Sequence, residues 1–400
     1  MNRSTAESTN KSKISPNVIL LSVVSLINDF SSEMIMPILP MFLESLGGTG
    51  KIIGLAGGLR DSISSILKIF SGYWSDKTGK RKIFVYAGYF VSTVFKILLA
   101  LSRTWPLALT FSSLERVGKG LRTAPRDAII AESVTDQQGK NFGIHRAFDT
   151  AGAVLGAIGA LCLFWFLNFS FKTIIMIAGV LGLLSLIPVY FVKETKSEPH
   201  NVTLKMGLKD LSKPLKLFII ISSVFALGNF SYMFFILKAQ QHFTGKSSVI
   251  IPILLYILFN ISYSSLAVFF GSISDKIGRE KVIILGYLIF SITSIGFIFF
   301  NSIIGFIFLF ILYGLMHAAI DGNQRAYVAD LASTNLKATA LGTFHTMTGL
   351  MALPAGLVAG FLWDNIGQNA VFIYGGSLGI LSVLLFIFFR RNFNFKIITL

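Results

Sequence analysis

The sequence predicts an all-α polytopic membrane protein whose twelve transmembrane helices form two six-helix pseudo-repeats. Three observations support this fold: an apolar composition, long apolar runs along the whole chain, and an internal repeat. Hydrophobic residues make up 53% of the 400 residues and charged residues only 14%, whereas about a quarter of a soluble protein is charged. The runs can cross about 30 Å of hydrocarbon as helices and are too long for barrel strands.

The apolar runs divide the chain into twelve predicted spans. Only helices or closed barrels satisfy the backbone hydrogen bonds inside a bilayer, so each run is expected to be helical. The weakest boundary separates the ninth span from the tenth, where only Asn301 and Ser302 interrupt the apolar sequence. In chain order the predicted spans are 17–46, 51–75, 82–102, 105–134, 140–168, 171–193, 215–242, 247–272, 281–302, 303–333, 337–364 and 368–391.

Topology explains the net charge of +16 better than nucleic-acid binding does. With the N-terminus in the cytoplasm, most Lys and Arg residues outside the spans fall on cytoplasmic segments, as the positive-inside rule requires. We therefore predict a multi-pass protein of a prokaryotic inner membrane with both termini in the cytoplasm. The expected partners are the lipid bilayer and a small-molecule substrate, without nucleic acid, and the chain is expected to be a monomer.

An internal repeat supports the division into two halves. Residues 72–82 read GYWSDKTGKRK and residues 271–281 read GSISDKIGREK, an offset of 199 residues. Likewise, RDAIIAE at residues 126–132 precedes QRAYVAD at residues 324–330 by 198 residues. The predicted organisation is a disordered cytoplasmic tail (1–16), a first six-helix bundle (17–193), a cytoplasmic connector (194–214), a second six-helix bundle (215–391) and a cytoplasmic tail (392–400).

The repeated loop motif G-x-x-x-D-x-x-G-[RK]-[KRE]-K, between the second and third spans of each half, resembles the major facilitator superfamily. NDFSSEMIMPILP at residues 28–40 and RVGKGLRTAPRDA at residues 116–128 resemble a prokaryotic branch of it often labelled drug-like permeases. The resemblance implies a secondary transporter, not an enzyme, whose halves rock around a central site near the bilayer midplane. The sequence has no Walker-type loop, so ATP is not expected as the direct energy source. We expect the proton gradient to drive transport, and we expect no cofactor and no metal.

The loop motif contains residues that can form a conformational latch. Each Asp lies beside basic residues at the end of a span. It can hold a helix N-terminus or an Arg across the interface between the halves in one conformation and release it in the other. A tight turn that only sets the topology is the alternative. The predicted latch residues are Gly72, Asp76, Arg81, Gly271, Asp275 and Arg279.

The fourth span carries the densest group of charges. A charged helix face is too costly in contact with lipid, so it must look into the protein or a wet cavity. The resemblance implies proton coupling for Arg116, which occupies the superfamily's R-x-x-x-G position. Lys119, Arg122 and Arg126 are candidates for binding a substrate. At spacings of four, three and four, one helix face presents Glu115, Lys119, Arg122 and Arg126.

Two acids lie near the middle of the first span, where hydrocarbon would be expected. Asp29 and Glu33 are about one helical turn apart. Either each has a permanent basic partner that fixes helix packing, or one of them loses its partner during the cycle and carries a proton. Asp29 is the first choice because the repeat gives it an uncharged counterpart, Asn229. Asp149 on the fifth span is a further candidate for proton coupling.

The second half has polar side chains near the middle of the membrane. His317 and Asp321 are four residues apart and share one helix face. A role in helix packing is the alternative to substrate binding for this half. Its predicted substrate-binding residues are Asn229, Tyr232, His317, Asp321 and Arg325.

Three functions remain open. The preferred one is proton-coupled transport of a small anionic or zwitterionic solute, such as an organic acid, amino acid or siderophore, because embedded cations outnumber embedded acids in the first half. The alternative is proton-driven efflux of drugs or metabolites, which Lys119, Arg122 and Ala153 disfavour because other residues are usual there in exporters. A non-transporting membrane enzyme or sensor is the remote alternative, since the sequence has no visible catalytic group or signalling domain.

Overall fold

The computed structural model describes residues 15–133, 138–194, 208, 211–333 and 336–393. Most of the predicted connector and of both predicted tails lies outside these residues. The described chain forms fifteen helices: α1 (Pro16–Ile35), α2 (Leu39–Ser45), α3 (Gly50–Thr78), α4 (Arg81–Ala100), α5 (Trp105–Glu132), α6 (Gln138–Trp165), α7 (Phe171–Leu184), α8 (Leu186–Phe191), α9 (Lys213–Gly228), α10 (Met233–Gln240), α11 (Ser247–Ile277), α12 (Arg279–Phe299), α13 (Ile303–Leu331), α14 (Lys337–Asn365) and α15 (Gln368–Phe393).

The fold is all-α and membrane-spanning. Within the described part of the chain, ten helical segments are long and apolar enough to cross a bilayer. Helices α3 and α5 are also long enough, at 29 and 28 residues, but their charged residues make them less apolar. Both lie inside the bundle, where α3 packs against α14 and α5 packs against α4. Ten spans are therefore supported by length and hydropathy. That α3 and α5 complete the set of twelve stays a prediction.

The first span of each half is broken near its middle. Helix α1 ends at Ile35 and α2 begins at Leu39, because Pro37 between them has no amide hydrogen to continue the helical hydrogen bonds. In the second half, α9 ends at Gly228 and α10 begins at Met233. The two breaks meet at the interface between the halves, where the Tyr232 hydroxyl donates to the Met36 carbonyl oxygen.

The helices of each half pack mainly among themselves. In the first half α1 packs against α6 and α4 against α5, and in the second half α11 packs against α13 and α12 against α15. The main contacts between the halves are α3 with α14 and α6 with α11, and α10 also contacts α2 and α3. The α3–α14 contact is close because glycines face each other. A Cβ atom on Gly54 would lie 2.1 Å from the carbonyl oxygen of Gly356, so the two backbones touch directly.

The two ends of the bundle differ. We call the end that carries the repeated loops, residues 72–82 and 271–281, the motif end. At the opposite end, the Asp364 carboxylate of α14 accepts hydrogen bonds from the backbone N–H groups of Gly50 at 2.8 Å and Lys51 at 2.9 Å. A carboxylate is favourable there because the first amides of a helix have no partner within it. Helices α3 and α14 therefore close the opposite end.

Large apolar side chains cover the outside of the bundle. Val268, Ile304 and Phe299 are 77%, 76% and 72% exposed, which suits contact with lipid tails and would be unusual on a soluble monomer. Inside the second half the core is aromatic, and the stacked rings of Phe230 and Phe235 have centroids 5.1 Å apart. Apolar packing thus holds the second half together, which leaves the polar side chains to gather between the halves.

Candidate functional site

A cavity of about 790 Å³ lies between the two halves. Its walls come from α1, α3, α5 and α6 on one side and from α11, α13 and the start of α12 on the other. It reaches the motif end, where the latch residues Gly271, Asp275 and Arg279 line it. The structure brings together eight of the predicted coupling and binding residues in its walls: Asp29, Glu33, Lys119, Arg122, Arg126, Asp149, His317 and Arg325.

Asp29 and Asp149 form a carboxyl pair in the cavity wall. Asn28 Nδ2 donates to Asp29 Oδ1 at 3.2 Å, and the carboxyl groups of Asp29 and Asp149 are hydrogen-bonding partners. Ser25 donates to Asp149, and Arg126 donates to Ser25 Oγ at 3.2 Å. Two carboxyl groups can share a hydrogen bond only when one of them carries a proton. The pair is therefore a site where one proton can be held.

Asp149 also connects the carboxyl pair to the second half. Its carboxylate lies 3.5 Å from Arg146 Nη1 and 4.0 Å from His145 Nδ1. The other amino group of Arg146 donates to the Tyr263 hydroxyl of α11 at 3.0 Å. A change in the charge of Asp149 can thus alter a contact between α6 and α11.

Glu33 contacts the second half directly. The hydroxyl of Tyr256 on α11 donates to Glu33 Oε2 at 2.6 Å. Among the described residues no Lys, Arg or His nitrogen lies within 4.0 Å of the Glu33 carboxylate. Glu33 is therefore held by a neutral hydroxyl and not by an ion pair.

The charged face of α5 looks into the cavity. Arg122 is almost completely buried, and its guanidinium lies 4.6 Å from the centroid of the Tyr89 ring. Its Nη1 atom has no hydrogen-bond partner in the described part of the chain. Arg126, in contrast, pairs with Asp127 at 2.9 Å. One helix thus presents both a satisfied cation and an unsatisfied one to the cavity.

Arg116 lies behind the cavity and not in its wall. Glu115 Oε2 is 3.3 Å from Arg116 Nε and 3.5 Å from Arg60 Nη2, and Ser92 donates to Glu115 at 2.8 Å. Both arginines also contact the Met36 sulfur, at 2.9 and 3.2 Å. Buried ion pairs of this kind fix helix packing. This cluster therefore fits the alternative in which an embedded acid has permanent basic partners and fixes helix packing.

The predicted binding residues of the second half divide into two groups. His317 and Asp321 contact each other at 3.4 Å, and Arg325 Nε donates to the Asp321 carbonyl oxygen at 2.9 Å. These three residues line the main cavity or a neighbouring one of about 450 Å³. Asn229 and Tyr232 line neither cavity. Tyr232 instead donates to the carbonyl oxygen of Met36 at 2.9 Å, at the break in the first span.

The predicted latch residues form two similar clusters, one in each half. Arg81 donates to Asp76 at 3.0 Å and also pairs with Glu132. The second half repeats this arrangement with the cluster Asp275, Arg279 and Asp330. In this conformation each cluster joins three helices of its own half. Among the described residues these acids pair with arginines of their own half, so the structure shows no contact of this kind across the halves in this conformation.

The glycines of the latch motif differ in their surroundings. A Cβ atom on Gly72 would lie 3.3 Å from the Ala124 side chain of α5. A Cβ atom on Gly271 would meet nothing within 4 Å, because Gly271 faces the cavity. At this motif the helices of the first half are therefore in close contact, whereas the glycine of the second half borders open space.

Sequence reasoning assigned no site role to Tyr256, Tyr263 or Lys68. A signal for the two tyrosines was present. With Asn260 they recur at spacings of four and three, which forms a polar stripe on an otherwise apolar helix. Lys68 lines both cavities, and its position inside a span was itself an indication of a functional interior.

Comparison with known proteins agrees with this architecture. A family model described as Major Facilitator Superfamily matches residues 21–259 and 219–396. An uncharacterized MFS-type transporter of Methanocaldococcus jannaschii is 54% identical over 383 residues, which cover 95% of this chain and 96% of that protein. The multidrug resistance protein MdtH of Proteus mirabilis is 28% identical over 171 residues, 42% of each chain.

Solved structures share the fold over almost the whole chain. The nucleoside transporter NupG superposes with a TM-score of 0.77 at 14% identity, covering 94% of this chain and 99% of its own. A POT family transporter in complex with 5-aminolevulinic acid has a TM-score of 0.74 at 13% identity, covering 94% and 96%. At these identities the likeness concerns the fold alone. Together with the family model and the archaeal relative, it establishes that the chain belongs to the major facilitator superfamily and is a multi-pass membrane transporter, not an enzyme.

Proposed function

We propose that the protein is a proton-coupled secondary transporter of a small anionic or zwitterionic organic solute. The observation that carries the proposal is the cavity between the halves, where cations without acid partners face the same space as the Asp29–Asp149 pair. A solute bound there touches both halves, and a proton held by the pair can cross with it. A single chain encloses the cavity, so we expect a monomer that uses the proton gradient and needs no cofactor.

The proposed location is the cytoplasmic membrane of a prokaryote, with both termini in the cytoplasm. The positive-inside rule supports this orientation, and it makes the motif end cytoplasmic. The cavity would then open inward, while α3 and α14 close the outer side. Rocking of the halves around the solute would part α3 from α14 and close the motif end.

The proton would be carried by the Asp29–Asp149 pair, with Glu33 as the second candidate. An ionised carboxylate in a dry, closed site is costly unless it is paired. Ser25 and Arg126 can stabilise the charged form of the pair, whereas the closed state without access to water favours the protonated form. Protonation would in this way be linked to the movement of the halves.

The test is a binding screen followed by a transport assay. Detergent-purified protein would be heated with amino acids, di- and tricarboxylates, siderophores and cationic drugs, because a ligand of the native state raises the apparent stability. We expect stabilisation by a carboxylate or a zwitterion. Uptake of that compound into proteoliposomes should then stop when the proton gradient is dissipated. Stabilisation by lipophilic cations alone would contradict the proposal.

Proton-driven efflux of drugs or metabolites is the second candidate. The partial similarity to the multidrug resistance protein MdtH favours it, although that similarity covers only 42% of the chain. The same screen separates the two candidates, since an exporter of this kind should bind lipophilic cations and should accumulate them in inverted vesicles when the proton gradient is applied.

A further inference from the structure

The cavities contain more cations than their acids can neutralise. Four basic side chains that face them have no carboxylate oxygen within 4.0 Å in the described part of the chain. Arg126 and Arg146 are different, because they pair with Asp127 and Asp149. The four cations without a carboxylate partner are Lys68, Lys119, Arg122 and Arg325.

These cations come from both halves. Lys68 on α3 and Lys119 on α5 belong to the first half, and Arg325 on α13 belongs to the second. All three line the main cavity and also the neighbouring one, so they stand at the boundary between the two spaces. Lys68 experiences the attraction of Asp127, an acid already paired with Arg126, and the repulsion of Arg325 from the other half. The halves therefore meet here with like charges facing, and an anion between them would convert repulsion into attraction.

The charge that such an anion must carry follows from the side chains. The described acids that line the two cavities and have no Lys or Arg ion pair are Asp29, Glu33 and Asp321. When the Asp29–Asp149 pair holds one proton and Glu33 and Asp321 are ionised, the four unpaired cations leave an excess of two positive charges. Arg122 adds a specific donor, since its buried Nη1 atom has no hydrogen-bond partner. A buried guanidinium N–H left without an acceptor is costly.

Neutral hydrogen-bonding groups surround the cations at the boundary. Thr123 lines both cavities, and Ser64, Thr348 and Gln324 line the smaller one. In this conformation the three hydroxyls donate to backbone carbonyl oxygens of their own helices. Gln324 Nε2 donates one hydrogen to the Tyr287 hydroxyl, which leaves its second amide hydrogen for a solute oxygen. The smaller cavity, of about 450 Å³, is also lined by Asp321, so a second anionic group would lie on the side formed by Lys68, Lys119 and Arg325.

We propose that the transported solute is a small dianion whose two negative charges are held together by Lys119 and Arg122 of the first half and by Arg325 of the second. Two carboxylates, or one phosphate monoester, supply this charge. The inference rests on the proposed function in one respect, namely that this cavity is the transport site. It narrows the solute from any anion or zwitterion to a molecule that can bridge the halves.

The experiment is a calorimetric titration of the full-length protein in detergent. The probes are succinate as a dicarboxylate, glycerol 3-phosphate as a phosphate monoester, butyrate as a monoanion and alanine as a zwitterion. We expect at least one dianion to bind ten times more tightly than butyrate or alanine. Binding of succinate alone identifies a dicarboxylate site, and binding of glycerol 3-phosphate alone identifies a phosphate site. Equal or tighter binding of butyrate or alanine, or no binding of either dianion, overturns the inference.

Charge variants test the named residues. Arg325→Gln should weaken binding of the dianion at least tenfold and change butyrate binding by less than threefold. Arg103→Gln is the matched control, because Arg103 is exposed and lies outside the cavities. A folded Arg325→Gln protein with unchanged dianion affinity would overturn the bridging role. The comparison of probes on the unaltered protein needs no variant, so a variant that fails to fold leaves the test intact.

The outcomes also separate this inference from the proposed function. If a dianion binds but its uptake does not depend on the proton gradient, proton coupling is wrong and the proposed dianion site is supported. If an amino acid is taken up with protons while no dianion binds, the inference is wrong and proton-coupled transport stands.

Discussion

Single residues in the cavity fall into two electrostatic classes. Arg126 and Arg146 have carboxylate partners, as a structural ion pair requires. Asp29 and Glu33 have only neutral or carboxyl partners, and no cation lies in ion-pair contact with them among the described residues. Groups of the first class fix the helices. Groups of the second class remain able to exchange a proton or to respond to a bound solute.

Replacement of Asp29 tests the proton role. Asp29→Asn should abolish accumulation driven by a proton gradient and leave solute exchange largely intact, because the amide keeps the size and polarity but cannot take up a proton. Counterflow and gradient-driven uptake in proteoliposomes measure the two activities. Asp61→Asn is the matched control, since Asp61 is an exposed acid outside both cavities. Loss of exchange together with accumulation would instead indicate a structural carboxylate.

Replacement of Arg122 tests solute binding. A hydrogen bond to a charged group contributes about 1.5–3 kcal/mol, so Arg122→Gln should raise the apparent KM for an anionic solute by about tenfold or more. Transport kinetics and the thermal stability of the purified variant would be measured together. An unchanged KM, accompanied by a lower stability, would point to a packing role for the Arg122–Tyr89 contact.

The sequence identified many groups of the site but not their partners. Helical spacing correctly placed Glu115 and Arg122 on one face of α5, yet Glu115 serves a cluster behind the cavity while Arg122 looks into it. The contact of Glu33 with Tyr256 joins positions 223 residues apart. Such a pairing depends on how two helices are rotated against each other, and spacing within one helix contains no information about a neighbour.

At the scale of elements, the sequence predicted the order of the helices but only some of the breaks between and within them. The weak boundary at Asn301 and Ser302 is confirmed, because α12 ends at Phe299 and Ser302 caps α13 by accepting from Gly305 N at 3.1 Å. The break after Gly228 was not predicted. That segment remains apolar on both sides, and hydropathy alone cannot distinguish one long helix from two shorter ones in line.

The α3–α14 contact offers a test at this scale. Gly54→Ala places a methyl group where the Gly356 carbonyl oxygen lies, and overpacking of this kind costs about 1–3 kcal/mol. We expect a lower unfolding temperature and a larger distance between labels on the two helices at the opposite end. Gly143→Ala is the control, because a Cβ atom there meets nothing within 4 Å. Equal behaviour of the two variants would contradict close packing of the α3 and α14 backbones.

For the whole molecule, Asp364 influences the balance between conformations. Asp364→Ala removes the acceptor of two backbone N–H groups at the start of α3, and so should raise the population in which the opposite end is open. Distances between spin labels at Gly47 and Ile366 would measure this population. Asp364→Asn keeps one side-chain oxygen and should have a smaller effect. If Ala and Asn behave alike and resemble the unaltered protein, the cap does not contribute.

The ends of the molecule should also respond differently to salt. At the opposite end the backbones of α3 and α14 touch at Gly54 and Gly356, and this contact does not depend on ionic strength. The motif end is held by ion pairs with partly exposed acids, such as Asp275 with 63% of its side chain exposed. At physiological ionic strength screening acts beyond about 8 Å, and more salt weakens exposed pairs further. Dissolved ions at the motif end should therefore change the turnover rate, while the backbone contact between α3 and α14 stays unchanged.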